Sequence, residues 1–551
     1  MTRLTIPEAL QRAIALYQAN RIDEAEGLAR LILQSAPGSL DPVNLLGAIA
    51  LKRGDAAGSL SHFTRAVELQ PGFADAHSNR GMALRALGRP AEALESLHRA
   101  LAIRPGHVDA LFNLALARGD LGQWQEALAA YDELLRIQPG HALAWSNRGN
   151  ILQRFERWDE ALAAYERAME LRADYVDARY NRASALLRLE RRGEALAGYE
   201  EVLRLRPDHA EALFNRASLL EELGRWDEAA IDLERAVASR PEYVDARWNQ
   251  ALLFLLRGDY ERGWPAYELR WEQEVARPFV ERFEQPLWLG NADLAGKTIL
   301  LHAEQGLGDT IQFSRYVPLV QARAGRVVLE VQPSLAALAS SISPDVTVIA
   351  RGAARPRFDC HAPLGSLPLA FATSIATIPP PTRLRVDEQV SSAWKRRLGD
   401  RERRRIGLTW SGNPDKRGDL HRSLALTQFE SLLGEELFEF HAVQKALRSE
   451  DRERLARHPQ VRLWSDELTD FRETAALLAE LDLLVTVDTS VAHLAATLGV
   501  PTWVLLPRVP DFRWMLERAD SPWYPSVRLF RQARPDDWDA VIAEVREALR
   551  A

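Results

Sequence analysis

Gly122-Gln123-Trp124-Gln125-Glu126-Ala127-Leu128-Ala129-Ala130-Tyr131-Asp132-Glu133-Leu134-Leu135-Arg136-Ile137-Gln138-Pro139 decides the fold of the first half of this chain. It opens on a glycine, enters an acidic Glu-Ala-Leu segment, carries an aromatic and stops at a proline. Outward from it the pattern repeats. Prolines stand at Pro37, Pro71, Pro105, Pro139, Pro207 and Pro241, with Ala173 in the one gap, an interval of 34 throughout. The same interval relates Gly54, Gly88, Gly122, Gly224 and Gly258, with Asn20, Glu156 and Glu190 at the equivalent places. Small residues recur at Ala25, Ser59, Ala93, Ala127, Ala161, Ala195 and Ala229, and aromatics at Phe63, Tyr131, Tyr165, Tyr199 and Tyr267. Each unit reads as two amphipathic helices, one before the glycine and one from the acidic segment to the proline. Small residues let paired helices approach, and glycine and proline stop each helix.

The whole chain has 551 residues, 47% hydrophobic and 27% charged, which is globular chemistry on the scale of three or four domains. One cysteine, Cys360, rules out an internal disulfide and a cysteine-built metal site. A net charge of -7 argues against duplex nucleic acid as the main partner. No apolar run has the roughly 18 residues that span a bilayer, and the amino terminus lacks a secretory apolar region, so a cytoplasmic protein is expected.

The repeat resembles the tetratricopeptide repeat, over residues 1–274 in about eight units. That resemblance implies a superhelix whose first helices line a concave groove. Asn79, Asn113, Asn147, Asn181, Asn215 and Asn249 fall on six consecutive first helices, with arginine following at Arg80, Arg148, Arg182 and Arg216. A carboxamide both donates and accepts, which suits it to gripping an extended peptide backbone without reading sequence. A similar asparagine ladder lines the superhelix of the protein O-GlcNAc transferases. The competing reading has each asparagine bonded within its own repeat.

After Trp271 the register fails, and residues 275–295 read as a connector. From Lys297 short apolar β-rich runs alternate with helices. Thr298–His302, Val327–Val331 and Val346–Ile349 are expected strands of one α/β unit, at 296–388. Ile406–Trp410, Phe438–Val443, Leu483–Val487 and Thr502–Leu506 are expected strands of a second, at 389–551. The arginine-rich stretch Arg396–Arg405 between them reads as a solvated helix end and linker. Two facing doubly wound units place a ligand at the carboxyl ends of their strands.

Three motifs lie on that edge. Glu304-Gln305-Gly306-Leu307-Gly308-Asp309-Thr310 precedes an expected helix Thr310–Gln321. It lacks the third glycine of a dinucleotide fingerprint, at Ile311, although Glu330 stands near the distance expected of a ribose ligand. Asp309 is placed either to face the crevice as an acid–base group or simply to cap the helix. Val487-Asp488-Thr489-Ser490-Val491-Ala492-His493 is again strand to helix. The N–H groups of Thr489 and Ser490 there suit a diphosphate, and His493 either contacts it or is a buried structural histidine. Trp410-Ser411-Gly412-Asn413-Pro414-Asp415-Lys416-Arg417, with Arg422 beyond, is a basic loop whose Lys416 and Arg422 could neutralise a phosphate, unless it is merely solvated charge. Gln444-Lys445 reaches the same edge. Asp537-Trp538-Asp539 is explained by helix capping and not by a metal.

Together these resemble the ADP-heptose:lipopolysaccharide heptosyltransferase-like family of GT-B glycosyltransferases. The fold expected is therefore α + α/β: a repeat solenoid, then a compact GT-B domain of two Rossmann-like halves. The resemblance implies that Asp309, in Gly308-Asp309, deprotonates the acceptor and that Lys416 meets the nucleotide-sugar phosphates. It also implies a diphosphate at Asp488-Thr489-Ser490-Val491-Ala492-His493, where serine replaces the family's glycine. The function implied is an inverting, metal-independent hexosyl- or heptosyltransferase with a nucleotide sugar as co-substrate, no other cofactor, and a protein acceptor in the groove. In that function Asp309 is expected to be the base, and Gly308, Lys416, Arg422, Gln444, Asp488, Thr489, Ser490 and His493 are expected to hold the donor. The alternative is an interaction scaffold with an idle transferase-like domain. Of the 15 tryptophans, Trp124, Trp158 and Trp226 share a repeat position and read as inter-helix packing. Trp503, Trp514 and Trp523 read as domain-closing core.

Overall fold

The computed structural model describes residues 4–272, 283–412, 422–434 and 437–551. Helices run in pairs from α1 (Ile6–Gln18) and α2 (Ile22–Ser35) to α15 (Val244–Leu256) and α16 (Tyr260–Tyr267). The 34-residue interval is a register of helix starts: Ile22, Ala56, Pro90, Trp124, Trp158, Arg192, Trp226 and Tyr260 each open a second helix. The glycine slot is left-handed in all eight pairs. Its φ is 80° at Gly54 and 69° at Gly88, and also 61°, 58° and 59° at Asn20, Glu156 and Glu190. A side chain in that region costs about 1–2 kcal/mol, and the turn's own hydrogen bond, such as Glu156 N–H to the Gln153 carbonyl at 3.0 Å, holds it there.

A second small-residue slot sits on the first helices. A Cβ added at Gly47, Gly81 or Gly149 would lie 2.7, 2.6 or 2.6 Å from the side chain of Phe63, Leu97 or Tyr165. The large residue of each second helix therefore seats on the bare backbone of its partner. Trp124 and Trp158 are only half-buried and carry the guanidinium groups of Arg154 and Arg188, 4.1 and 5.7 Å from their ring centroids. They are lids over the repeat junction as much as packing between helices.

Met1–Ala212 and Leu213–Ala551 form two compact units. The last helical pairs thus belong with the α/β region. Within that second unit Trp264 donates to the Thr373 carbonyl at 3.1 Å, and Trp523 donates to the Tyr260 hydroxyl at 3.0 Å. Arg270 donates to Glu304 at 3.0 Å and to Ser366 at 2.5 Å.

The first α/β half holds β1 (Thr298–His302), β2 (Arg326–Val331), β3 (Val346–Ala350) and β4 (Cys360–Pro363). They form a parallel sheet in the order β3-β2-β1-β4. The second half holds β5 (Arg404–Thr409), β6 (Phe438–Ala442), β7 (Val461–Leu463), β8 (Leu483–Val487), β9 (Thr502–Leu506) and β10 (Val527–Arg531), in the order β10-β9-β8-β5-β6-β7. Strand order reverses between β1 and β4 and between β5 and β8, which is where doubly wound sheets open a crevice. Three of these strands lie outside the expected set. β4 ends on a proline at a sheet edge, β7 has three residues, and β10 (Val-Arg-Leu-Phe-Arg) alternates as an edge strand does.

Helices of the first half are α17 (Leu307–Phe313), α18 (Val317–Gln321), α19 (Pro333–Ala339) and α20 (Leu367–Ala370). The single helix expected over Thr310–Gln321 begins three residues earlier and breaks into two, because Pro318 has no N–H to give the Ser314 carbonyl. The second half adds α21 (Glu388–Leu398), α22 (Leu426–Phe429), α23 (Ser449–Leu455), α24 (Phe471–Leu478), α25 (Ser490–Thr497) and α26 (Trp538–Arg550). Arg405, expected in a solvated linker, is buried in β5; it donates to Glu439 at 3.3 Å and to the Gly399 carbonyl at 2.8 Å. Asp537 caps α26 through the Ala540 N–H.

Candidate active site

A crevice of about 480 Å³ opens at the carboxyl ends of β1, β5, β6 and β8. Seven of the α/β residues expected to form a donor site line it with Asp309: Gly308, Arg422, Gln444, Asp488, Thr489, Ser490 and His493. Lys416 lies outside the described residues.

Asp309 falls in the first turn of α17. Its Oδ2 accepts the Gly306 N–H at 2.8 Å, the capping geometry that competed with an acid–base role. The carboxylate nevertheless faces the crevice, so it does both. Gly308 has a steric reason to be glycine: a Cβ there would lie 2.7 Å from His493 Cδ2, across from α25. Glu330 does not line the crevice. It is buried and ion-paired with Arg355 at 2.8 Å, which removes it as a ribose ligand.

Asp488 directly follows β8, and α25 starts two residues later, with Thr489 as its cap. The Thr489 hydroxyl accepts the Ala492 N–H and lies 3.2 Å from the Thr486 hydroxyl, so it serves the helix turn and not a ligand. Ser490 opens the helix toward the crevice. Burial, with the Asp511 carboxylate beside it, pushes Asp488 up to about 6. His493 is buried, 2.9 Å from the Tyr524 hydroxyl through Nδ1 and 3.7 Å from Asp488 Oδ1 through Nε2. Its ring stacks on Trp514 at 5.4 Å. Desolvation, then the Arg513 charge, drive its pKa well below the usual imidazole range. It is neutral at pH 7 and offers phosphate no charge.

The third loop is shaped by Gln444. Its carbonyl oxygen accepts from the N–H groups of Trp410 and Ser411, and its amide nitrogen donates to the carbonyls of Ser411 and Ala446. Buried and engaged at both ends, Gln444 braces the loop after β5 and has little left for a phosphate. Lys445, also on the crevice wall, donates to the Ser465 carbonyl at 2.9 Å.

Sequence reasoning missed Arg513 and Asp511. They follow β9 on the same edge, inside Pro507-Arg508-Val509-Pro510-Asp511-Phe512-Arg513-Trp514, whose aromatics drew a packing interpretation. The packing is real, since Phe512 and Trp514 are buried. Between them Arg513 points into the crevice, bonded to Asp309, Gln312 and Asp511. The usable signal was position: a charged pair in the loop after a fourth parallel strand.

On the helical pairs, each ladder asparagine is the sixth residue of its first helix. Asn147 donates to the Tyr131 hydroxyl at 3.1 Å, and Asn181 donates to Asn150 at 2.9 Å. The arginines beside them pair within the scaffold, Arg148 with Asp132 at 2.6 Å, Arg182 with Glu166 at 3.0 Å and Arg216 with Asp232 at 2.6 Å. Part of the ladder is thus wired into the repeats themselves. No helix among the described residues is long and apolar enough to cross a membrane.

Paired helices at a fixed interval, followed by two doubly wound halves with a charged crevice, define a repeat protein carrying a two-lobed α/β domain. Tetratricopeptide repeat family models match residues 72–139, 112–176, 147–197 and 181–254, and glycosyltransferase family 9 (heptosyltransferase) matches residues 443–514. The chain carries tetratricopeptide repeats across its N-terminal region, and behind them a stretch, residues 443–514, that is similar to the heptosyltransferases of glycosyltransferase family 9. It is 28% identical over 326 residues to Protein FlbA of Caulobacter vibrioides, covering 54% of each chain, so it spans about half the length of that curated relative. Among solved structures, a thermophilic TPR protein of Thermus thermophilus is 25% identical over 33% of this chain and 100% of its own, with a TM-score of 0.30. A tetratricopeptide repeat protein from Parabacteroides merdae is 20% identical over 43% of this chain and 96% of its own, with a TM-score of 0.35.

Proposed function

We propose that the α/β domain transfers a sugar from a nucleotide-sugar donor to a hydroxyl acceptor, with inversion and without a metal. The observation that carries this reading is the crevice, which joins Gly308-Asp309 of one half to the start of α25 in the other. The donor diphosphate sits against the Ser490 end of α25, where backbone N–H groups and the helix dipole favour negative charge. Arg422 and Lys445 add positive charge on the same wall, and Lys416 joins them by resemblance to the family. Asp309 takes the acceptor proton as the acceptor oxygen attacks the anomeric carbon, and the nucleoside diphosphate departs with the electron pair of the broken glycosidic bond. The repeats present a protein acceptor, with carboxamides of the asparagine ladder gripping its backbone.

A second reading has a specific observation behind it. Both oxygens of Asp309 already accept hydrogen bonds, one from Gly306 and one from Arg513. A scaffold with an idle transferase-like domain would tolerate that. Purified chain, a panel of labelled nucleotide sugars and a cell extract separate the two. Transfer by the parent and a loss of about 100-fold or more in Asp309→Asn support catalysis. Equal labelling by Asp309→Ala removes the base, and no labelling together with no nucleoside diphosphate binding leaves the scaffold.

A further inference from the structure

We propose that Arg513 is a positioning residue for the transfer: reaching from the second half, it sets the orientation of the Asp309 carboxylate in the first. The inference rests on the glycosyltransferase reading above. Pro510-Asp511-Phe512-Arg513-Trp514 is built to aim this side chain. Asp511 accepts the Arg513 backbone N–H at 3.1 Å and so fixes the turn. Phe512 is anchored edge-on against Trp264 and Tyr267, with ring centroids 5.9 and 5.4 Å away, and Trp514 is stacked on His493. With both neighbours locked, Arg513 has one direction left, into the crevice, and it is only 7% exposed.

All three guanidinium nitrogens are engaged. Nε donates to Gln312 and Nη2 to Asp309, both on α17, while Nη1 pairs with Asp511 at 2.7 Å. Asp309 is consequently pinned at both oxygens, by the Gly306 N–H on one side and by Arg513 on the other. A carboxylate held from two directions cannot rotate about its side-chain torsions, and each oxygen keeps a lone pair that an acceptor hydroxyl can address. The planar fork supplies donors in three directions at once, a geometry that lysine lacks. The clasp joins α17 of the first half to the loop after β9 in the second through Asp309, the crevice carboxylate assigned above as the base.

The test compares the full-length parent with Arg513→Lys and Arg513→Gln. Nucleoside diphosphate binding is read by calorimetry and label transfer under steady state, alongside thermal unfolding. The expected result for Arg513→Gln is a fall in kcat of about 100-fold or more, with diphosphate affinity within about fivefold of the parent. Arg513→Lys recovers about a tenth of parental turnover. Where Arg513→Gln does not fold, Arg513→Lys decides: a tenfold or greater loss in kcat at unchanged affinity supports positioning. Parental kcat in the variants overturns it, as does a loss of affinity equal to the loss of kcat. A parent that neither binds nucleoside diphosphate nor transfers label overturns the glycosyltransferase reading, and this inference with it. A parent that transfers, alongside variants that transfer as well, overturns the Arg513 role alone.

Discussion

Gly308 of the first α/β half lies directly under the imidazole of His493 in the second, so close that a Cβ at Gly308 would stand 2.7 Å from His493 Cδ2. The glycine of the Gly308-Asp309 motif is therefore a packing requirement between the halves as well as part of a loop beside a ligand site. His493 cannot retreat, because it is sandwiched against Trp514 and bonded to Tyr524.

Gly308→Ala should push α17 away from α25. Overpacking at such a contact costs about 1–3 kcal/mol, read as a lower urea midpoint. Since α17 and α25 meet at Gly308 and both line the crevice, nucleoside diphosphate affinity should fall as well. An alanine variant with parental stability and affinity would show that the halves separate freely.

How far the residues announced this architecture depends on the kind of signal. The solenoid was legible because one turn geometry repeats eight times, so even Glu156 and Glu190 betray a left-handed position by standing where five other repeats have glycine. The long inner strands read well as continuous apolar runs, Leu483–Val487 above all. Cys360–Pro363 did not, because an edge strand that carries a histidine and ends in proline looks like a loop. At the site, motifs directly after strands pointed to Asp309 and Asp488. Arg513 was hidden by its neighbours, since Phe512 and Trp514 are a packing signal and nothing local says that the residue between them faces a cavity. Gln444 lines the crevice as its place after a strand led one to expect, and only three-dimensional contact shows both ends of its amide taken by backbone.

The raised Asp488 carboxyl predicts that nucleoside diphosphate binding depends on pH. Its folded value is raised to about 6 by burial and by the Asp511 carboxylate. A carboxyl raised in the fold stabilises it fully below the ordinary value and loses that contribution as pH rises through about 6. Ionisation also sets a negative charge beside the proposed diphosphate. Affinity for a nucleoside diphosphate should therefore weaken by up to about tenfold per pH unit above 6, and Asp488→Asn should flatten that slope. The nucleotide's own phosphate titration is common to both proteins and cancels in the comparison. Identical slopes by calorimetry would mean that Asp488 stays in one protonation state throughout.

The join between the last helical pair and the crevice loop rests on a buried ion pair. Arg270, just beyond α16, donates to Glu304, the residue that opens the Glu304–Asp309 loop, and also to Glu268 and Ser366. Burial pushes Glu304 up to about 7 even though Arg270 opposes the shift, and its Oε2 is buried with no hydrogen-bond partner. The pair is thus costly to keep charged and worse to break. Arg270→Met should destabilise by about 3–5 kcal/mol, since it strands a carboxyl in an apolar site. Its loss should grow as pH rises, because the stranded Glu304 is tolerated only when protonated. Replacing both partners, Arg270→Met with Glu304→Gln, should recover much of the stability and remove the added pH dependence. Urea unfolding of the parent, the single variants Arg270→Met and Glu304→Gln and the double variant at pH 5.5 and 8 reads out both effects, with pH values chosen on either side of about 7. If the double variant were as unstable as Arg270→Met, the ion pair would be a net source of stability at this join. If Arg270→Met were as stable as the parent at both pH values, the terminal repeat would not be held to the crevice loop through this contact.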